Sequence, residues 1–463
     1  MAAAGAILTA DFICREYHIS QKGSVIFMKN QEKLAVVICN HNKGTSTVDC
    51  IASILASGPD SDGGLQIFVV DNASEDDSEA VITAAYGDRI TFTRSDTDLG
   101  SGGGLNLGIE QALRSGFEYI CCLGEEISAA PGALRIMLDY MASTPSAGLV
   151  GGKIYHRHMP HYIQQFGISV DFKHCRASML YADTPDSETI PNIVYCDAIS
   201  SCCVMVRADA IRRVGLMPTG NFLYWDDTEW GYSIKQAGYE VVAIGAAHFY
   251  HAASPMHRCD NTKVNYYMTR NCMNFFMKYT KPEACNKMSI VLLRSVFEAF
   301  YLHRMGHAHN MAQSDISALL DALGGVRGQA ADDRILENDD NGLGFVSFFQ
   351  EQESVYMEDD DPFLEQVIRQ INPDIVFMQL PSPGAVTIIR CDSILGIKDF
   401  SFSLDFSENV VYIDKSYRML ATREDVDLIK SYEPSLQLFL YAMQPMVFRR
   451  IAEMHGLENC VGL

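Results

Sequence analysis

Short, uninterrupted apolar runs alternate with helix-like segments over the first third of the chain. The runs lie at residues 34–39, 65–70, 90–93 and 118–123. Between them, apolar residues recur every three or four positions, as in the helices predicted over 45–57 and 105–115. Strands that are apolar throughout are buried on both faces, so this alternation predicts a doubly covered parallel sheet of the α/β class.

Polar clusters follow three of these runs directly. They are Asn40-His41-Asn42, Asp71-Asn72 and Glu125-Glu126. Parallel sheets bind ligands beyond the carboxyl ends of their strands. We therefore expect the three clusters to meet at one edge of the sheet and to form a site there.

The pattern is less regular from about 148 to 206, and the character of the chain changes beyond about 281. We expect strands at 148–154, 200–206 and 240–244, and helices at 207–214, through Trp230 as far as Gly238, and at 264–279. Further helices are expected at 288–303, 363–371 and 423–455, with strands at 374–380 and 385–391. The predicted division is a short β-structured extension over 1–33, a first domain over 34–280, and a C-terminal α+β region over 281–463 with an acidic linker at 331–361.

Composition and charge narrow the function classes. The 463 residues carry a formal charge of −22, which argues against nucleic acid as the main partner. No apolar run reaches 18 residues and the first residues lack a basic leader, so we expect a cytoplasmic protein without a membrane span. Pairs such as Cys121-Cys122 and Cys202-Cys203 lie in apolar runs, as buried free thiols do.

The glycine-rich segment 98–104 (DLGSGGG) has two interpretations. It is either a flexible turn before the helix at 105–115, or a loop whose backbone approaches an anionic ligand. A GxGxxG motif would need glycine at 105 or 107, and both positions hold leucine. A nicotinamide-dependent oxidoreductase is thus a disfavoured hypothesis.

Acidic and histidine clusters could carry chemistry. Glu125-Glu126 offers the oxygen ligands that Mg²⁺ or Mn²⁺ prefers, or is simply exposed. Asp226-Asp227-x-Glu229 is either an N-terminal helix cap or holds a general base in a partly dry cleft. His251 follows a strand and is a structural residue or a metal ligand. The remaining clustered histidines are expected at the surface: His156, His158, His161, His303, His307 and His309.

In order along the chain, these clusters resemble a known family. LAVVICNHN, VVDNASEDDS, DLGSGGGLNLG, CLGEEISAAPGAL, WDDTEWGYSIKQAGY and HFYH are similar to family 2 glycosyltransferases of the GT-A fold. The rhamnosyltransferase and galactofuranosyltransferase-like branch is the most similar. The resemblance covers roughly 34–280 and implies an inverting transfer from a nucleotide-sugar, a UDP- or dTDP-sugar, to a hydroxyl of a cell-surface glycan.

The resemblance also implies roles for individual residues. Asp227 would be the catalytic base, with Asp226, Glu229 and Trp225 orienting the acceptor. Glu126 and His251 would bind Mg²⁺ or Mn²⁺. The nucleotide-sugar would contact His41, Asn42, Asp71, Arg94, Gly102, Gly103, Asn106 and Glu125. The acceptor in such relatives is often lipid-linked, so peripheral contact with the inner face of the membrane is expected, and a homo-oligomer is left open.

The sequence departs from the family pattern at one motif. Gly124 stands where the first acid of the strand-end triplet is usual, and Glu replaces Asp at the next two positions. Asp98 stands where relatives often carry Asn. These departures favour a second hypothesis, a catalytically weak nucleotide-sugar-binding scaffold of a glycan assembly complex.

Overall fold

The computed structural model describes residues 33–57, 64–252, 261–338, 344–391, 409–415, 417–420 and 423–457. The extension predicted over 1–33 lies, except for Lys33, outside the described residues. The first strands are β1 (Leu34–Asn40), β2 (Leu65–Asn72), β3 (Thr91–Ser95), β4 (Tyr119–Gly124), β5 (Ile127–Ala129), β6 (Ala147–His156), β7 (Met159–Gln165), β8 (Ile168–Asp171), β9 (Arg176–Met179), β10 (Thr184–Pro185), β11 (Ile193–Tyr195), β12 (Cys203–Arg207) and β13 (Glu240–His251). The helices among them are α1 (Gly44–Ser57), α2 (Ser78–Tyr86), α3 (Gly100–Arg114), α4 (Ala133–Ser143), α5 (Ala208–Val214), α6 (Asp226–Gln236) and α7 (Thr262–Tyr279).

The central sheet runs in the order β10-β7-β6-β12-β4-β1-β2-β3. Strands β4, β1, β2 and β3 are mutually parallel, whereas β12 is antiparallel to both of its neighbours. Strand β13 extends the sheet by pairing in parallel with β6 and antiparallel with β5. The α/β class with a parallel core is therefore confirmed.

Helices cover both faces of the sheet, as the continuous apolar strands predicted. Alternate residues of β1 face opposite cores, with Val36 packing in one and Val37 in the other. Helices α1, α2 and α4 contribute to the first core, and α3, α5 and α6 contribute to the second. Each buried aliphatic side chain of this kind stabilises the fold by about 1.5–3 kcal/mol.

The prediction of a loop over 98–104 is wrong, because helix α3 begins at Gly100. The reason is packing. A methyl group at Gly104 would lie 2.3 Å from Cys39 Sγ, and one at Gly102 would lie 2.9 Å from Asp226 Oδ2. These glycines let the helix approach strand β1 and the start of α6 more closely than any side chain would allow.

The C-terminal region holds a helical layer and a second sheet. Its helices are α8 (Cys285–Met305), α9 (His309–Gly324), α10 (Phe345–Gln350), α11 (Pro362–Ile371) and α12 (Arg423–His455). Its strands are β14 (Ser354–Met357), β15 (Val376–Met378), β16 (Val386–Arg390), β17 (Val410–Ile413) and β18 (Met419–Leu420), in the order β15-β14-β16-β17-β18. Helix α10 and strand β14 fall within the acidic stretch 331–361, so part of that stretch belongs to this sheet.

Helices α7, α8, α9 and α12 share one apolar core, which includes Phe276, Leu292, Leu319 and Ile451. Through α7 this helical layer is continuous with the loop that precedes α6. Among the described helices, none has the length and apolar character that crossing a membrane requires. No disulfide links the cysteines in the described residues, and burial raises the pKa of thiols such as Cys122 to about 12.

Two histidines expected at the surface are buried instead. His156 is 3% exposed and its Nε2 lies 2.8 Å from Asp183 Oδ1. His303 is 8% exposed and its Nδ1 lies 2.6 Å from Asp315 Oδ2. Neither acid is close in sequence, so the spacing of the histidines could not show these partners.

Candidate active site at the sheet edge

Asp71, at the end of β2, is the centre of a buried polar network. Its Oδ1 accepts hydrogen bonds from Asn40 Nδ2 at 2.8 Å and from Ser74 Oγ at 2.5 Å. Its Oδ2 accepts from Arg94 Nη1 at 2.5 Å and from the backbone N–H of Ser74 at 3.3 Å. The side chain is fully buried, so these bonds join the ends of β1, β2 and β3. The structure thus gives Asp71 a positioning role beneath the surface.

A cleft of about 1250 Å³ opens beside this network. His41, Asn42 and Arg94, three of the predicted nucleotide-sugar residues, line it. His41 Nδ1 lies 2.8 Å from the carbonyl oxygen of Asn72, and Asn42 Oδ1 accepts from the N–H of Glu75 at 2.8 Å. The acidic residues that line the cleft are Glu75, Asp76, Asp77, Glu79, Asp96 and Asp98. An anionic ligand would therefore need cations to offset this charge.

Glu125 and Glu126 follow β4 at the same edge. The ammonium group of Lys43, at the start of α1, forms an ion pair with the Glu126 carboxylate. Burial raises the pKa of Glu125, while backbone hydrogen bonding and Lys43 oppose that shift. Lys43 therefore offsets part of the carboxylate charge at the end of β4.

His251, the last residue of β13, lies beside these glutamates. It pairs in register with Ile127, and the N–H of Ala252 donates to the carbonyl oxygen of Glu126 at 3.1 Å. Its Nδ1 lies 2.9 Å from Gln164 Oε1, an acceptor, so Nδ1 carries the proton and Nε2 keeps a lone pair. Burial lowers the pKa of His251 to about 4, and the ring is neutral near pH 7.

Glu126 and His251 are therefore adjacent donors of types that Mn²⁺ and Mg²⁺ accept. In the part of the chain that the structure describes, no group of three or more His, Cys, Asp or Glu side chains could hold a metal ion. The two donors fit a metal ion whose remaining ligands come from substrate phosphates, as is common for Mg²⁺. Lys43 would have to leave Glu126 for such an ion to bind.

Asp226 and Asp227 begin helix α6 after an unusual stretch of backbone. Phe222, Tyr224 and Trp225 all have positive φ angles, between 61° and 67°. Such angles are costly for side chains of this size and persist only where the surroundings enforce them. Here they turn the chain so that both carboxylates stand at the helix start.

The pair is held by hydrogen bonds from distant segments. Asp226 Oδ2 accepts from Ser101 Oγ at 2.7 Å, and Asp227 Oδ2 accepts from the N–H of Ser201 at 3.0 Å. Burial raises the pKa of Asp226 to about 7, and the charge of Asp227 adds to that shift. Burial also raises the pKa of Asp227, whereas hydrogen bonds from Ser201 and Thr228 act to lower it. The dyad is therefore able to take up a proton near neutral pH.

The segment before β12 joins the two acid clusters. Ser201 contacts Asp227, and the carbonyl oxygen of the next residue, Cys202, accepts from the N–H of Gly124 at 3.0 Å. The charges of Asp227 and Glu125 both raise the pKa of the Cys202 thiol. The aspartates of α6 and the glutamates after β4 therefore lie at one edge of the sheet.

Several residues assigned to substrate binding are buried in the framework. Glu229 is 2% exposed, and its carboxylate accepts from Lys278 Nζ at 2.6 Å and from Asn221 Nδ2 at 3.0 Å. Trp225 is 6% exposed and packs on Phe275 at a ring distance of 5.2 Å. These two side chains hold the loop before α6, so an acceptor contact is not evident from their positions.

Asn106, Gly102 and Gly103 are likewise buried within α3. Asn106 Nδ2 donates to the carbonyl oxygen of Met217 at 2.9 Å, and its Oδ1 accepts from the N–H of the same residue at 3.1 Å. This paired contact ties α3 to the chain before α6. Their contact with a nucleotide-sugar stays a prediction.

Sequence reasoning missed the residues that hold the loop at 221–225. Asn271 Nδ2 lies 2.9, 2.8 and 3.1 Å from the carbonyl oxygens of Asn221, Leu223 and Tyr224. The fully buried Arg270 donates from Nη2 to the same Asn221 oxygen at 3.0 Å. The only signal in the sequence is polar side chains on the inner face of α7. Lys43 was also missed, although it directly follows a strand-end cluster that had been singled out.

Part of the chain is similar to a known protein family. Residues 35–212 match the family model described as Glycosyl transferase family 2. Over these residues, the resemblance to family 2 glycosyltransferases that the motifs predicted is therefore confirmed. This match ends before the segment that contains Asp226 and Asp227.

Galactofuranosyltransferase GlfT2 of Mycolicibacterium smegmatis is a relative with 24% identity over 245 residues. The match covers 48% of this chain and 37% of the relative, so the chain spans well under half of that protein.

Three solved structures are also similar. GalNAc-T7 with UDP, GalNAc and Mn²⁺ has a TM-score of 0.40 at 14% identity, covering 53% of this chain and 51% of that one. Mannosyltransferase PcManGT from Pyrobaculum calidifontis, with GDP-Man and Mn²⁺, scores 0.39 at 14% identity, covering 64% and 76%. TarS from S. aureus scores 0.41 at 13% identity, covering 64% and 49%.

Proposed function

We propose that this chain transfers a sugar from a nucleotide-sugar donor to a hydroxyl group of a glycan acceptor, with inversion at the anomeric carbon. The observation that supports it is the convergence of the Asp226-Asp227 dyad and the Glu125-Glu126 pair at one sheet edge, linked through Ser201 and Cys202. The family match supports the reaction class. UDP- or dTDP-linked galactofuranose or rhamnose is the proposed donor.

In this reaction Asp227 is the general base. Its carboxylate accepts the proton of the acceptor hydroxyl as that oxygen forms a bond to the anomeric carbon. The bond from that carbon to the diphosphate oxygen breaks, and the nucleoside diphosphate leaves with the electron pair. The N–H groups of Ser201 and Thr228 donate to Asp227 and fix the direction in which its carboxylate faces.

Asp226 and its partners position the base. Ser101 holds the Asp226 carboxylate from α3, and Asn271 holds the backbone before it from α7. Asp71 and Arg94 support the cleft in which we place the nucleotide. Mg²⁺ or Mn²⁺, held by Glu126 and His251, would supply positive charge to the leaving diphosphate.

The acceptor is proposed to be a growing cell-surface glycan, lipid-linked and therefore presented at the cytoplasmic face of a membrane. The acidic character of the donor cleft is consistent with a cation-assisted leaving group, because its carboxylates would repel an uncompensated diphosphate.

The decisive experiment uses Asp227→Asn, which keeps the shape of the side chain and removes its basicity. We expect transfer to fall by at least 100-fold while UDP or dTDP binding by calorimetry is unchanged. Asp209→Asn, on the separate helix α5, is the matched control and should keep wild-type activity. Full activity of Asp227→Asn would refute the assignment of the base.

A second function is favoured by two features at the end of β4. Gly124 lacks the acid usual in the family, and Lys43 already neutralises Glu126. Both features are consistent with a nucleotide-sugar-binding scaffold that transfers sugar weakly. Donor binding without transfer or donor hydrolysis, under both Mg²⁺ and Mn²⁺, would favour the scaffold over the enzyme.

A further inference from the structure

A second cavity, of about 280 Å³, lies where the turn after β8 meets helices α6, α7 and α8. Three aromatic rings form one side of it. Phe172 and Tyr232 have ring centroids 5.5 Å apart, and Tyr232 and Tyr279 have centroids 5.0 Å apart in an edge-to-face arrangement. All three side chains are only partly buried, and all three line the cavity. Such rings pack well against the C–H faces of a sugar.

The rim of this cavity is positively charged. Lys173, Lys281 and Lys287 line it and are exposed, whereas Glu283 is the one acid among its lining residues. On a chain whose formal charge is −22, a local excess of cations stands out. Lysine ammonium groups attract phosphate as flexible point charges. The rim therefore favours an anionic ligand.

Two features at the base of the cavity also match an anion. Thr280 is 4% exposed, and its Oγ1 has no hydrogen-bond partner in the described part of the chain. Buried hydroxyl groups are normally bonded, so a ligand oxygen would satisfy this one once the Thr280 side chain turns its hydroxyl into the cavity. Helix α8 begins at the same place, and its N-cap residue, Ala284, supplies no side-chain cap. The positive end of a helix of this length stabilises phosphate.

We propose that this cavity binds a phosphorylated saccharide, with the phosphoryl group at Thr280, the lysines and the start of α8, and the sugar ring on the aromatic side. An uncharged sugar would leave the cations and the Thr280 hydroxyl unused. Inorganic phosphate would leave the rings unused. Each half of the cavity therefore selects one half of the ligand.

The cavity is distinct from the acid dyad. Tyr232 lies five residues after Asp227 on α6, which corresponds to about 7.5 Å along the helix axis. A phosphorylated saccharide here could be the phosphate-bearing end of an acceptor or a free sugar phosphate. Binding at this cavity does not require sugar transfer, so it can be tested even if the proposed function fails.

The test is calorimetric titration of the full chain with glucose 1-phosphate, glucose and inorganic phosphate. We expect glucose 1-phosphate to bind at least tenfold more tightly than either of the others. The double variant Lys281→Ala/Lys287→Ala should weaken that binding at least tenfold, and Thr280→Val should weaken it several-fold. Lys263→Ala, an exposed lysine on α7 away from the cavity, is the matched control and should bind as wild type does.

Two further measurements separate the outcomes. Asp227→Asn should bind glucose 1-phosphate normally, since the acid dyad is not part of this cavity. Glucose diphosphate esterified to a short alkyl chain should bind more tightly than glucose 1-phosphate if the ligand is a lipid-linked acceptor, and equally if it is a free sugar phosphate. Equal binding of inorganic phosphate, or binding that survives in the double lysine variant, would overturn the proposal. Circular dichroism establishes that each variant is folded.

Discussion

Ser101 Oγ donates a hydrogen bond of 2.7 Å to Asp226 Oδ2, although the two residues are 125 positions apart. The backbone N–H of Ser101 also donates to the carbonyl oxygen of Phe222 at 2.8 Å. The glycine-rich start of α3 is thus joined to the loop that presents the acid dyad. The start of α3 therefore packs against this loop and holds the Asp226 carboxylate in place. A substitution of Ser101 can test how that carboxylate behaves.

The first prediction concerns pH and stability. Burial raises the pKa of Asp226 to about 7 in the folded state, above the unfolded value of about 3.9. The contribution of Asp226 to stability is thus fully present below pH 4 and is lost as the pH rises through 7. The hydrogen bond from Ser101 favours the charged form of Asp226. Ser101→Ala should therefore raise the pKa of Asp226 further, and the loss of stability should continue to higher pH.

The expected difference in unfolding free energy between wild type and Ser101→Ala is small at pH 5 and about 1–3 kcal/mol at pH 8. Urea denaturation at both pH values measures it. Ser115→Ala, an exposed position at the other end of α3, should show no such pH dependence. A difference that is equal at the two pH values would argue against an ionising partner for Ser101.

The second prediction concerns the loop with left-handed backbone. Asn271→Ala removes the amide that contacts the carbonyl oxygens of Asn221, Leu223 and Tyr224, and should destabilise the fold by roughly 2–3 kcal/mol. Because the loop leads directly to the dyad, we expect kcat to fall at least tenfold with a smaller change in the donor KM.

Asn274→Ala is the matched control, one turn further along α7. Its side chain is equally buried, yet neither amide atom has a hydrogen-bond partner in the described structure. It should cost little stability and leave kcat near the wild-type value. If both variants lose kcat equally, the loss reflects general damage to α7 and not the position of the loop.

The third prediction concerns metal binding. The ammonium group of Lys43 is paired with the Glu126 carboxylate and would compete with a divalent cation for it. Lys43→Met should therefore tighten Mn²⁺ binding by roughly tenfold, since removing a nearby positive charge lowers the electrostatic cost. Titration followed by electron paramagnetic resonance measures free Mn²⁺ directly. Lys430→Met, on α12, should not change the affinity, and weaker Mn²⁺ binding in Lys43→Met would contradict the prediction.

The fourth prediction concerns the glycines. A methyl group at Gly104 would lie 2.3 Å from Cys39 Sγ, so Gly104→Ala should destabilise the fold by about 1–3 kcal/mol. At Gly124 the nearest atoms to such a methyl group lie 3.7 Å away, which is ordinary contact. Gly124→Ala should therefore be tolerated. Thermal unfolding of the two variants compares Gly104, which is in close contact, with Gly124, which has space for a methyl group. Equal melting temperatures would contradict the conclusion that α3 needs glycine for close packing.

Much of the fold was predictable from periodicity. The strands that end at Asn40 and Asn72 and the helix over Thr262–Tyr279 lie within a few residues of their predicted positions. A continuous apolar strand must bury both of its faces while its backbone N–H and C=O groups stay hydrogen-bonded. A parallel sheet covered by helices on both sides meets both needs. The prediction of a loop over 98–104 was wrong because glycine has a low helix propensity. In the folded protein, close contact with Cys39 and Asp226 requires glycine at this part of the helix.

The sequence by itself determined the α/β class, the sheet edge at which polar residues gather, and the order of the family motifs. These follow from patterns within ten or twenty residues. Only the tertiary structure decided which side chains are partners: Lys43 with Glu126, Ser101 with Asp226, and Asn271 with the loop at 221–225. Such pairings join residues that are 40 to more than 100 positions apart, and they depend on how the sheet and helices pack. Packing, rather than residue type, therefore separated the acids at the edge from those, such as Asp71 and Glu229, that support it from below.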